Sequence, residues 1–154
     1  MPDSVTISGT RATSHHPGSW FTALFVRFVE PFIGSDTHVY VGGAPGIDTL
    51  ALRWLIELAR AQITVVVPAR LADQPIEARD AVVGALRDER LTNLVELRHP
   101  RFPAAEAYHA RNRWMVDRSE FLIAFPLSDG GASGTGQTIE YAATKRLPHL
   151  VVPV

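Results

Sequence analysis

The stretch Phe121-Leu122-Ile123-Ala124-Phe125-Pro126, followed shortly by Gly130-Gly131-Ala132-Ser133-Gly134-Thr135-Gly136-Gln137-Thr138-Ile139-Glu140, decides how this chain is read. An apolar run predicts a buried strand. The glycines predict a turn, and Thr138-Ile139-Glu140-Tyr141-Ala142-Ala143 opens a helical pattern. A strand, a glycine turn and a helix start, in that order, make an anion site. The first helical turn carries N–H groups without intrahelical partners, at the positive end of the helix dipole. Glycine lets a phosphate approach the main chain, and Ser133, Thr135 and Thr138 add hydroxyl donors.

The same alternation runs along the whole chain. Strands are expected at residues 5–8, 38–41, 63–67, 94–97, 121–125 and 150–152. Helices are expected near 19–32, 47–61, 76–90, 104–118 and 138–145. Several strand candidates are apolar throughout, as strands covered on both faces are. The pattern predicts an α/β fold, a three-layer Rossmann-like parallel sheet with helices on both faces. Its 154 residues, 46% apolar, suit one domain over 1–154. Ligands on such sheets bind beyond the carboxyl ends of the strands, so the loops after the strands are the informative ones. The segments 68–75 and 100–103, rich in proline, are expected to be a surface loop and a break.

The first of those loops is Ser8-Gly9-Thr10-Arg11. Gly9 permits a tight turn, Thr10 offers a hydroxyl, and Arg11 can fork onto a phosphate. The second is Gly42-Gly43-Ala44-Pro45-Gly46-Ile47-Asp48, with three glycines for close backbone approach. Asp48 falls in a first helical turn, where it caps the helix or reaches a ribose hydroxyl. This loop is neither the dinucleotide fingerprint Gly-x-Gly-x-x-Gly nor a P-loop, so no NAD, FAD or other cofactor is expected.

Late in the fourth helix come Arg111-Asn112-Arg113-Trp114-Met115. Neighbouring residues diverge by about 100° around a helix axis, so all three polar residues cannot face one site equally. From spacing alone the arginines read as a solvated face, with Trp114 and Met115 in the core. Glu140 follows the glycine turn on the helix side shared with Gln137 and Gly136.

The charge balance narrows the classes further. Net charge is −1, which gives no general attraction to nucleic acid, although fourteen of the fifteen cations are arginines. The chain has no cysteine, so disulfides, thiolate metal sites and a cysteine nucleophile are excluded. The six histidines form no metal-ligand spacing, and no metal is expected. No apolar run approaches the ~20 residues of a membrane span, and Met1-Pro2-Asp3-Ser4 does not begin a secretory signal. A cytoplasmic protein without membrane contact is expected. Residues 19–32 are apolar nearly all round, which fits burial in the monomer or a homodimer contact equally.

In chain order, Ser-Gly-Thr-Arg-x-x-Ser from Ser8 to Ser14, Gly-Gly-Ala-Pro-Gly-Ile-Asp from Gly42 to Asp48, Arg-Asn-Arg at Arg111 to Arg113 and Ser-Gly-Thr-x-x-Thr from Ser133 to Thr138 resemble the Rossmann-like domain of DNA-processing protein A (the Smf protein). The wider group, often called SLOG, includes the lonely-guy phosphoribohydrolases, the lysine-decarboxylase-like proteins and several nucleotide sensors. The resemblance covers almost the whole chain. It implies a standalone domain that binds a nucleotide or another phosphate-bearing small molecule. The residues it implies are Gly9, Thr10, Arg11, Gly42, Gly43, Gly46, Asp48, Arg111, Asn112, Gly131, Ser133, Gly134, Thr135, Gly136 and Thr138.

The phosphoribohydrolases place a catalytic Glu three residues after the Thr of their glycine loop. Here that position is Thr138, and Glu140 follows two residues later, rotated by about 200°. If the chain hydrolyses the N-glycosidic bond of a nucleoside 5′-monophosphate, Glu140 stabilises the ribosyl cation or activates water, and Arg113 or Arg111 orients the ligand. A third reading is single-stranded DNA binding through arginines and Trp20 or Trp114.

Overall fold

Val5, Thr6 and Ile7 are wholly buried in the first strand, and they set the centre of the molecule. The computed structural model describes residues 1–58, 60–129 and 133–154. Six strands form one sheet: β1 (Ser4–Gly9), β2 (His38–Gly42), β3 (Gln62–Val67), β4 (Asn93–Glu96), β5 (Phe121–Phe125) and β6 (His149–Val151). Their order is β4-β3-β2-β1-β5-β6, and every pairing is parallel. The helices are α1 (Gly18–Phe28), α2 (Ile47–Leu58), α3 (Ile76–Arg87), α4 (Ala105–Asp117) and α5 (Gly134–Thr144).

Helix contacts divide into two sets. α1 packs on α2 and α2 on α3, while α4 packs on α5 and runs under β1, β2 and β3. This is a three-layer α/β sandwich. α2 shows why: Ile47, Ala51, Leu52, Trp54 and Leu55 recur at helical spacing and are all buried against the sheet. On the opposite face Val116 of α4, Leu122 and Ala124 of β5 and Ala142 of α5 form a smaller cluster.

The topology creates one break. From β1 the chain steps one way along the sheet, through β2 and β3 to β4. α4 then carries it back to β5, on the other side of β1. The loops leaving β1 and β5 therefore turn to opposite faces, and a crevice opens between their carboxyl ends. Gly9 pairs with Phe125 at that edge, and Thr10 N–H donates to Phe125 O at 3.0 Å.

The largest departures from the expected helix bounds are in α1 and α5, while α2 and α3 end about three residues early. α1 stops at Phe28, and Pro31 sits in a 3-10 turn (Glu30–Phe32), because proline removes a helical donor. Phe21 and Phe25 of α1 are buried, whereas Val26 is 46% exposed. α5 begins at Gly134, one turn earlier than the pattern from Thr138 indicates. Ser133 caps it, accepting the Gly136 N–H at 3.1 Å, and this makes a helix of the glycines. Within 68–75, residues Leu71–Asp73 form a 3-10 turn and Gln74 is buried.

Candidate functional site

The crevice at the β1/β5 break holds about 260 Å³. The β1–α1 loop contributes Gly9, Thr10 and Arg11, and the β2–α2 segment contributes Ala44 and Asp48. α4 contributes Tyr108, Arg111 and Asn112, and the start of α5 contributes Ser133, Gly134 and Thr135. Four segments, far apart in sequence, thus meet at one end of the sheet.

The glycines of the second loop serve packing. A Cβ on Gly46, whose φ is +83°, would stand 2.5 Å from Thr10 O and Arg11 Cα. The two loops also share a hydrogen bond from Ile47 N–H to Thr10 O at 3.0 Å. A Cβ on Gly9 would strike Ile47 at 2.6 Å, and one on Gly43 would strike Val67 at 2.5 Å. Gly42 has the most consequential neighbours. Its Cβ would lie 2.5 Å from both Arg111 Nη1 and Asp48 Oδ2, so those two atoms are at most 5.0 Å apart. Gly42 is what lets a buried cation and a buried carboxyl share the floor of the crevice.

Arg113 is exposed, as the solvated face expected for the arginines requires, but Arg111 is only 4% exposed, so that expectation is corrected there; Asn112 is buried beside it, at 9%. Adjacent residues diverge on a helix, but the Arg111 side chain is long enough to bend back. Its Nε donates to Asn112 Oδ1 at 2.8 Å and its Nη1 to Val66 O at 3.3 Å. Burial lowers the Arg111 pKa, and the nearby Asp48 charge opposes that shift. Asp48 sits in the first turn of α2, where its Oδ2 accepts the Ala44 N–H at 3.3 Å. Burial pushes the Asp48 carboxyl up to about 6, against the pull of Arg111, the Ala44 N–H and Arg11. Arg11 lies 4.5 Å over the Tyr108 ring, and Arg111 is 5.9 Å from the same ring. Tyr108 thereby holds two guanidinium groups at the crevice.

At α5, Ser133, Gly134 and Thr135 have N–H groups with no intrahelical acceptor, while the Gly136 N–H is taken by the Ser133 cap. Among the described residues no atom would meet a Cβ on Gly134 within 4 Å, which leaves its backbone open to approach from them. Thr138 is buried, and its hydroxyl donates to Gly134 O at 2.9 Å, which removes it as a ligand donor. Gly131 lies outside the described residues.

Glu140 and Arg113 are placed elsewhere. They line a second depression, of about 320 Å³, between α4 and α5, with His109, Gln137, Tyr141 and Thr144. Asn112 borders both depressions. Ser8, Ala44 and Tyr108 were not singled out by sequence. The available signal for Tyr108 was its three-residue spacing from Arg111, which sets both on one helix face.

Met115 is buried as expected, but Trp114 is only half-buried, with Arg118 stacked 3.7 Å above its ring. Trp20 is stacked on His16 at 3.7 Å. One face of each indole is already covered. Among the described residues no group of three or more His, Cys, Asp or Glu converges on a point, and no helix is long and apolar enough to cross a membrane. No protein-family model matches the chain, and no curated protein matches it.

Proposed function

We propose that the β1/β5 crevice binds the phosphate of a nucleotide, and that the chain is a standalone nucleotide-binding domain of the SLOG type, close to DNA-processing protein A. One observation carries the reading: Arg11, Arg111 and the open start of α5 converge on a single crevice in a chain of net charge −1. Two guanidinium groups and a helix N-terminus give a phosphate charge-assisted donors from three directions. Asp48 faces the same space and suits a ribose hydroxyl. A homodimer contact through α1 belongs to the same proposal, and sedimentation reads it directly.

The test is thermal unfolding with a panel of nucleoside 5′-monophosphates. A ligand at a hundred times its Kd adds about 2.7 kcal/mol, roughly 5–10 °C in Tm for a domain of this size. A panel that leaves Tm unmoved removes the reading.

A second reading, hydrolysis of the N-glycosidic bond, draws on the α4–α5 depression. Glu140, Arg113 and His109 share it, and it adjoins the crevice at Asn112. Chromatography of the same panel after incubation would reveal free base. Release that survives Glu140→Gln would assign the chemistry to another group.

A further inference from the structure

We propose that Asp48 couples anion binding in the crevice to the uptake of a proton. The inference rests on reading the crevice as an anion site and adds a condition that the site imposes on its ligand. Asp48 is 7% exposed and lines the crevice, and among the described residues its Oδ2 has one long hydrogen bond, from the Ala44 N–H at 3.3 Å. Arg111 does not hold this carboxyl directly, because its Nε and Nη1 bond to Asn112 Oδ1 and Val66 O. Asp48 is nonetheless the negative charge nearest to Arg111, at most 5.0 Å from Nη1 across the gap that Gly42 leaves.

An anion drawn to Arg111, Arg11 and the α5 start would therefore meet a carboxylate on the same floor. Like charges in a desolvated volume cannot both persist, and the group that gives way is the one able to take a proton. The other charged or titratable groups facing Asp48 are Arg111 and Tyr108 from α4 and Arg11 from the β1–α1 loop. α5 offers only Ser133, Gly134 and Thr135 there. Asp48 contributes the carboxyl group among these lining residues, and burial already raises it to about 6. His109 lines the α4–α5 depression instead.

Sulfate is the suitable probe, because it keeps its charge across the range in which a phosphate monoester titrates at about 6. Calorimetry on the full chain should show sulfate Kd weakening by up to about tenfold per pH unit from about pH 6 to about pH 8. Asp48→Asn should bind equally well at both ends, and His109→Gln should keep the native slope. Titrations of the native chain in two buffers of different ionisation enthalpy need no variant, and should give about one proton taken up per sulfate above pH 6. A native Kd independent of pH, an unchanged slope in Asp48→Asn, a slope lost in His109→Gln, or proton uptake near zero would each overturn the inference. Sulfate that binds none of these proteins at any pH would overturn the anion-site reading together with it.

Discussion

Arg111 donates through Nε to Asn112 Oδ1 at 2.8 Å, a bond between sequence neighbours that both line the crevice. Their backbone directions diverge, yet the guanidinium returns across the helix surface and the amide fixes it there. With Nη1 held by Val66 O of β3, the head group is anchored at two of its three nitrogens. An arginine fixed in this way before a ligand arrives loses little freedom on binding.

Replacing Arg111 by Met should abolish anion binding and destabilise the fold. Removing one of two facing buried charges costs about 3 kcal/mol when the other stays ionised. Below about pH 6 the loss should shrink, because Asp48 can then be neutral. Denaturant melts at two pH values measure both parts.

Asp48 makes its own prediction for stability. Its folded pKa is raised from 3.8 to about 6, so between those values the folded chain holds a proton that the unfolded chain has lost. Stability from this group is complete below 3.8 and falls as pH rises through about 6, by about 3 kcal/mol in all. Asp48→Asn should therefore be more stable than the native chain at about pH 8, with the difference vanishing toward acid. An Asn variant less stable throughout would show the carboxylate to be favourable where it lies.

Two glycine substitutions should separate packing from ligand approach. Gly42→Ala puts a methyl group 2.5 Å from both Arg111 and Asp48, and should cost about 1–3 kcal/mol along with anion binding. Gly134→Ala meets no atom of the described residues within 4 Å and lies in the first turn of α5. It should leave stability unchanged or raise it by about 0.5–1 kcal/mol, while weakening any ligand seated on that backbone. Melting curves with and without nucleoside monophosphate distinguish the two variants.

The strand and helix order was legible because apolar runs such as 63–67 and 121–125 are too uniform for anything but a sheet covered on both faces. The start of α5 was less so: Gly134 and Gly136 are poor helix formers, and the Ser133 cap prevails over their propensity. Burial of Arg111 could not be read from spacing, because it depends on the absence of a side chain at Gly42, far away in sequence. The order of the motifs, and the resemblance they carry, did mark out Arg11, Asp48, Arg111 and Gly134, which line one crevice. It could not separate Glu140 from them, because a rotation about a helix decides which depression a side chain enters.

The most direct test of the central claim is an amide chemical-shift titration with nucleoside 5′-monophosphates, read at each residue. Phosphate binding in the crevice predicts the largest shifts at Ser133, Gly134 and Thr135, with further shifts at Thr10, Arg11 and Arg111. Shifts confined to Gln137, Glu140 and Tyr141, or none with any member of the panel, would contradict it.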